Sequence, residues 1–274
     1  MGKRSIKIYQ VDGFTNRLFK GNPAAVCILD EPIEDRIMQS IALEMNLSET
    51  AFILHKEKNI FQLRWFTPKT EVDLCGHATL GASEVLFNGF NLEYNDIVYE
   101  TKSGRLKIRK DTTGIILDFP SDEPVYNKSV DVEGLLKAMD IQNYKRIFYG
   151  KRTNKLVLHM DKEEDIVKIR PNFEDMKKLN LKDIKGVAVT AESKGKYDFT
   201  SRYFNPWAGV NEDPVTGSVH TLLATYWSDI LGKKILNAYQ ASDRSGEIGL
   251  RLKGNNRLEL IGEAVIVLKG EIYI

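Results

Sequence analysis

The spacing of apolar side chains changes repeatedly along the chain, from the two-residue period of strands to the longer period of helices. In the first half, this pattern predicts strands at residues 6–11, 24–29, 50–54, 60–66 and 97–119. The last of these is interrupted by turn-forming residues at 102–104 and 111–114. Helices are predicted at residues 31–45 and 76–87. Strands and helices therefore mix throughout, without separate blocks of either.

The second half repeats this order, with predicted strands at 156–160, 186–190 and 197–204 and helices at 172–179 and 217–231. The run RWFTP at residues 64–68 precedes GHATL at 76–80, and RYFNP at 202–206 precedes GSVHTL at 217–222. The prolines are 138 positions apart (206 minus 68) and the helix-opening glycines 141 (217 minus 76). We predict an internal duplication, with one lobe at residues 1–122 and another at 123–263.

Each repeat places a glycine, Gly76 or Gly217, where an apolar helix begins. Such a turn presents unpaired backbone N–H groups and the positive end of the helix dipole, and anions bind there. Two such helix ends facing one cleft would receive a carboxylate without any cofactor. The alternative is that both glycines only permit close helix packing.

Charge and composition narrow the class of partner. The 39 basic and 38 acidic side chains nearly cancel and no basic stretch dominates, which argues against a nucleic-acid partner and favours small neutral or anionic molecules. The first residues lack an apolar run of signal-peptide length, and nowhere do 18 apolar residues follow one another, so we expect a cytoplasmic protein without membrane association. Cys27 and Cys75 fit a reducing compartment, and with four scattered histidines they predict no metal site.

Seven short motifs, in this order, carry a family resemblance: DGF at 12–14, GNPAAV at 21–26, NLSETAF at 46–52, FTP at 66–68, CGHATLG at 75–81, DPVTGS at 213–218 and YQAS at 239–242. Together they resemble the PhzF-like family, named for a phenazine-biosynthesis isomerase. The resemblance implies an α+β, diaminopimelate epimerase-like fold, with two pseudo-symmetric lobes that each wrap a sheet round a central helix. It also implies that residues 264–274 return to the first lobe, that no cofactor is needed and that the protein is a homodimer.

The same resemblance assigns the site residues. Glu49 becomes the general acid/base, with His77 and Asp213 as further catalytic groups. Substrate binding falls to Gly76, Gly217, Ser218 and Asn22. Judged without the family, Glu49 is a helix-end charge, Asp213 and Ser218 are helix caps, and Asn22 belongs to a turn. A carboxylate that enters a core strand would nevertheless be partly desolvated, which raises its pKa toward a range useful for proton transfer.

Three hypotheses on function follow. The leading one is an isomerase in which Glu49 moves a proton within a small carboxylate-bearing substrate. The second is an amino-acid epimerase or racemase that uses Cys75, although the repeat places Thr216 where a second thiol would be needed. A threonine hydroxyl does not readily take a proton from carbon. The third is a non-catalytic protein that binds small carboxylates.

Overall fold

The computed structural model describes residues 4–90, 92–126, 132–181 and 184–274. The chain divides into two compact units. The first consists of residues 1–119 and 259–274, and the second of residues 120–258.

The first unit is a set of strands with two helices. Its strands are β1 (Ser5–Gly13), β2 (Asn22–Leu29), β3 (Glu49–Glu57), β4 (Ile60–Phe66), β5 (Glu71–Val72), β6 (Asp96–Thr101), β7 (Gly104–Asp111) and β8 (Gly114–Pro120). Its helices are α1 (Asp35–Met45) and α2 (Gly76–Glu84), and α2 continues into a π-helical turn at Val85–Gly89. Strand β2 runs parallel to β3, β3 antiparallel to β4, and β4 parallel to β6. Parallel pairs thus alternate with an antiparallel one.

Helix α1 packs against β3 and β4 and shares an apolar core with β2. It begins four residues later than the apolar spacing predicted, because Glu34 is extended (φ −63°, ψ 144°). Ile33 packs against the same core from outside the helix. The helix ends at Met45. The N–H of the following Asn46 still bonds to the Ala42 carbonyl, and the left-handed backbone of Asn46 (φ 48°) then turns the chain out of the helix. This abrupt end turns the chain into β3 within three residues.

Helix α2 lies at the centre of the first unit, in contact with β1, β2 and β3. Every residue from 77 to 83 is buried, so the helix has no solvent-facing side. Gly81 lets it approach β1 closely, since a Cβ atom there would lie 3.3 Å from the Cβ of Val11. The predicted apolar helix is therefore confirmed as a central element.

The second unit repeats these elements. Its strands are β9 (Pro124–Val125), β10 (Arg146–Gly150), β11 (Leu156–His159), β12 (Val187–Glu192), β13 (Phe199–Asn205), β14 (Val210–Glu212), β15 (Ile235–Gln240), β16 (Gly246–Gly254) and β17 (Arg257–Gly262), the last of which crosses into the first unit. Its helices are α3 (Glu133–Ala138), α4 (Glu163–Lys168), α5 (Phe173–Lys178) and α6 (Gly217–Leu231). Strand β11 runs parallel to β12, β12 antiparallel to β13, and β13 parallel to β15. The order of pairings is that of the first unit.

Helix α6 matches the predicted range of residues 217–231 and is the counterpart of α2. It ends at Gly232, which adopts a left-handed backbone (φ 65°). Trp227 on this helix is fully buried and donates its indole N–H to Thr190. Among the residues that the structure describes, no helix is both long and apolar enough to cross a membrane.

The final strand, β18 (Ala264–Tyr273), belongs to the first unit. It pairs antiparallel with the whole of β1, from Ser5 opposite Tyr273 to Gly13 opposite Ala264. Residues from opposite ends of the chain thus form adjacent strands of the first unit.

A partly buried arginine–glutamate ion pair occurs in both units at equivalent places. In the first unit, Arg64 donates two hydrogen bonds, of 2.7 and 2.8 Å, to the Glu71 carboxylate. In the second unit, Arg202 donates two hydrogen bonds, of 2.7 and 2.8 Å, to the Glu212 carboxylate. The arginines are 138 positions apart and the glutamates 141 apart (202 minus 64, 212 minus 71), as the sequence repeat predicts. The duplication therefore extends to side-chain contacts.

Candidate active site

Three predicted site residues of the first unit converge because of the strand pairing. Asn22 opens β2 and Glu49 opens β3, and the parallel register sets Ala24 opposite Glu49. The starts of two parallel strands lie at the same edge of a sheet, so both side chains are at one end. Helix α2 begins at Gly76 near this end and carries His77 in its first turn.

His77 is the centre of this first-unit cluster. Its Nε2 atom lies 3.1 Å from Oε2 of Glu49, and its Nδ1 atom lies 3.2 Å from the side-chain nitrogen of Asn22. The histidine side chain is 7% exposed, whereas that of Glu49 is 19% exposed. The Glu49 carboxylate therefore contacts a buried histidine while it is itself partly accessible to solvent.

The electrostatic setting favours a charged imidazole. Burial alone would lower the pKa of His77, but interactions with Cys75 and Glu49 raise that pKa well above its ordinary value. Burial, together with the charge of Glu49, raises the pKa of Cys75 to about 11, so the thiol keeps its proton near neutral pH. With the thiol protonated, Glu49 is the other partner that raises the pKa of His77.

Asn22 owes its position to the preceding glycine. Gly21 has a left-handed backbone (φ 65°), and a Cβ atom there would lie 2.2 Å from the Gly13 carbonyl oxygen. Asp12 accepts a 2.8 Å hydrogen bond from the backbone N–H of Phe19 and so fixes the loop before Gly21. The GNP motif is therefore a structural turn that also delivers Asn22 to His77.

The second unit holds its predicted residues at the start of α6. Thr216 donates a 2.5 Å hydrogen bond to the Asp213 carboxylate. The Gln240 side chain stabilises the turn from Asp213 to Thr216. It accepts a hydrogen bond from the Thr216 N–H at 2.9 Å and donates one to the Asp213 carbonyl at 2.7 Å. Asp213, Gly217 and Ser218 thus lie within one ordered turn, and Gln240 has a structural role in shaping it.

Sequence reasoning missed Lys155 in this unit. Its ammonium donates a 2.6 Å hydrogen bond to Oγ of Ser218 and lies 4.4 Å from the centre of the Tyr203 ring. The residue is only 8% exposed. A single lysine just before an apolar strand reads as a solvated charge, so no pattern in the sequence marks it. Lys155, Tyr203, Asp213, Thr216, Ser218 and Gln240 are called the second-unit cluster below.

Strand register identifies the counterpart of Glu49 in the second unit. Thr50 pairs with Phe66 in the first unit, and Val187 pairs with Phe204 in the second. The residue before Val187 is Gly186, which takes the position that Glu49 occupies in its own unit. The second unit therefore has no carboxylate at this position.

The backbone conformation of Gly186 and the nearby Tyr203 side chain both disfavour a larger residue at this position. It has a φ of 108°, and a Cβ atom there would lie 2.1 Å from the Tyr203 hydroxyl oxygen. We expect Gly186→Ala to lower the free energy of unfolding by about 2–4 kcal/mol, from backbone strain and displacement of Tyr203. Gly195→Ala is the matched control, since Gly195 has a similar φ of 112° with nothing within 4 Å of the added Cβ. Urea denaturation of both variants checks this, and equal losses would contradict the steric contribution.

The sequence matches the family model described as "Phenazine biosynthesis-like protein" over residues 11–270. This chain belongs to the PhzC-PhzF family. An uncharacterized isomerase of Halalkalibacterium halodurans is 44% identical to it over 269 residues, which cover 97% of this chain and 98% of the relative. A crystal structure of a PhzF-family phenazine biosynthesis protein from Enterococcus faecalis shares 39% identity and superposes with a TM-score of 0.90, over 99% of this chain and 100% of the other. The family predicted from the seven motifs is therefore confirmed.

The wider fold is also confirmed. A hydroxyproline epimerase from Agrobacterium vitis superposes on 99% of this PhzC-PhzF member, and on 93% of its own chain, with a TM-score of 0.63. At 10% identity this likeness concerns the fold alone. The protein has the α+β, epimerase-like fold predicted for it, and as a PhzC-PhzF member with isomerase relatives it is an isomerase.

Proposed function

We propose that the protein is a cofactor-independent isomerase in which Glu49 moves a proton within a small, carboxylate-bearing substrate. The observation that carries this proposal is the pairing of a partly exposed carboxylate, Glu49, with a buried histidine, His77, at 3.1 Å. A base must be within reach of the proton that it removes, and a buried partner fixes its orientation. The partial exposure of Glu49 and its contact with buried His77 support this role.

The proposed reaction needs one base and no change in oxidation state. Glu49 removes a proton from a carbon that a neighbouring unsaturated or carboxyl-bearing group makes acidic. The electron pair of the broken C–H bond moves into the conjugated system, and Glu49 returns the proton at another carbon. His77 holds the carboxylate and, as an imidazolium, balances its charge.

The second-unit cluster supplies groups of the kind that hold a carboxylate. Ser218 is exposed, and because the Lys155 ammonium can only donate, Oγ of Ser218 accepts that bond and its own hydrogen can be donated elsewhere. We propose Ser218 and Gly217 as binding groups on this basis. The family resemblance makes Asp213 catalytic, which stays a prediction, since its described contacts are those of a helix-start turn.

Cys75 is a weaker candidate for the base. It is buried, and a pKa of about 11 leaves very little thiolate near neutral pH. Its structural counterpart is Thr216, since the two residues are the N-caps of α2 and α6. The second base of a two-thiol epimerase therefore has no equivalent at this position.

Exchange of substrate hydrogen with solvent tests the proposal. The protein is incubated in D₂O with a panel of small unsaturated carboxylates and amino acids, and each is followed by ¹H NMR. We expect one member to lose a single C–H signal at a rate proportional to protein concentration, and to yield a positional isomer. Saturation-transfer binding of a carboxylate without exchange would instead favour the non-catalytic alternative.

The homodimer, the absence of a cofactor or metal requirement and the cytoplasmic location stay predictions from the resemblance and composition.

A further inference from the structure

We propose that Glu49, Cys75 and His77 form a binding site for one thiophilic divalent metal ion such as Zn²⁺, and that this ion inhibits the enzyme. The three side chains offer one sulfur, one nitrogen and one oxygen ligand, all within 4.8 Å of one another. The inhibitory consequence rests on the proposed function of Glu49, whereas the metal site itself does not.

The distances suit a small tetrahedral ion. Nε2 of His77 lies 3.1 Å from Oε2 of Glu49 and 4.0 Å from Sγ of Cys75. Around zinc, with bonds of about 2.0–2.3 Å, neighbouring ligand atoms are separated by about 3.3–3.6 Å. Because all three ligand atoms lie within 4.8 Å of one another, side-chain shifts on the order of 1 Å would place them on one ion. The partial exposure of Glu49 leaves a route for the ion and a position for water as fourth ligand.

The three metal ligands lie at the starts of regular secondary-structure elements, which restrict their backbone conformations. Cys75 is the N-cap of α2 and His77 is in its first turn, while Glu49 opens β3. A metal-bound histidine usually donates its other ring N–H to an oxygen, which fixes the ring. Asn22 lies 3.2 Å from that second nitrogen, and rotation of its amide would present oxygen in place of nitrogen. Asn22 is thus placed to orient His77 for a metal.

The donor set selects the type of ion. Thiolate with imidazole favours Zn²⁺ and Co²⁺, whereas Mg²⁺ and Ca²⁺ prefer oxygen ligands. Binding breaks the Cys75 S–H bond, forms a metal–sulfur bond and releases the proton to solvent. A divalent ion with one thiolate and one carboxylate then leaves the buried site without net charge, which keeps the desolvation cost low.

Bound metal would stop proton transfer directly. An ion on Oε2 of Glu49 and Nε2 of His77 takes the place of the proton that these atoms share. The carboxylate then no longer serves as a base. We expect Zn²⁺ to abolish the exchange activity and a chelator to restore it.

Cobalt spectroscopy tests the site without any substrate. The reduced full-length protein is titrated with Co²⁺, and we expect a thiolate-to-cobalt absorption band in the near ultraviolet that saturates at one ion per chain and disappears on addition of Zn²⁺. Cys75→Ala should lose the band and weaken Zn²⁺ binding at least 10-fold by calorimetry. Cys27→Ala is the matched control and should retain both, since Cys27 is the other buried free cysteine and lies in the middle of β2.

Three results of these experiments would overturn either the metal site or the proposed function. Absence of the band in the wild-type protein, or Zn²⁺ affinity unchanged in both Cys75→Ala and His77→Ala, overturns the metal site. A band that is lost in Cys27→Ala but kept in Cys75→Ala places the metal elsewhere and also overturns it. If the band appears as expected while Glu49→Gln retains full exchange activity, the metal site stands and the proposed function fails.

Discussion

Glu49→Gln is expected to lower the rate of solvent hydrogen exchange into the substrate by about 10³-fold, because the amide cannot accept the proton that the carboxylate takes. Glutamine keeps nearly the same shape and can still hydrogen-bond His77. Binding of the substrate, followed by saturation-transfer NMR, should therefore change little. The rate of C–H signal loss in D₂O is the measurement.

Glu57→Gln is the matched control for this variant. Glu57 closes the strand that Glu49 opens, and its side chain is exposed. The same loss of charge there should leave the exchange rate within about twofold of wild type, as surface substitutions have small effects. A Glu49→Gln protein as active as Glu57→Gln would remove Glu49 from the mechanism.

Arg202→Met is expected to lower the free energy of unfolding by about 3–5 kcal/mol, the usual cost of leaving one half of a buried ion pair behind. The side chains of Arg202 and Glu212 are only 7% and 17% exposed. Arg202 also donates to the backbone carbonyls of Ile166 and Ile169, both of which are buried residues. The variant therefore takes the arginine away from the Glu212 carboxylate and removes one hydrogen bond from each of the two carbonyl groups.

Arg64→Met provides the internal comparison, because Arg64 makes the equivalent pair in the first unit. There Glu71 has a second cationic partner in Lys102, and the other partner of Arg64, Asp35, is 75% exposed. We expect a loss of about 1–2 kcal/mol. Urea denaturation of the two variants gives both values. Losses of equal size would show that the additional contacts of Arg202 do not contribute.

Apolar periodicity predicted most of the regular structure, because long elements carry several turns or alternations of signal. Helix α6 was predicted with its observed bounds, and the offset between the repeats reappears in the ion pairs. The glutamates of those pairs could not be predicted. Glu71 and Glu212 lie in strands of two and three residues, which are too short to show any period.

The sequence names candidate site residues one by one but says nothing of their arrangement. The distance along the chain from Asn22 to Glu49 and on to His77 says nothing of contact, since parallel strand pairing brings them together. Lys155 carried no signal because a charge before a strand is usually solvated. Gly186 was predicted only as the first residue of a strand, and strand register is needed to show that it takes the place of a glutamate.

The pairing of β1 with β18 has a consequence for biosynthesis. During translation, β1 leaves the ribosome long before its antiparallel neighbour, which extends to residue 273. The first unit therefore cannot complete its strand order until β18 has been synthesised, whereas the second unit, at residues 120–258, has all its residues available earlier. We infer that the unit begun first is the one finished last, and that the open edge of β1 must be kept from wrong pairing until β18 has been synthesised.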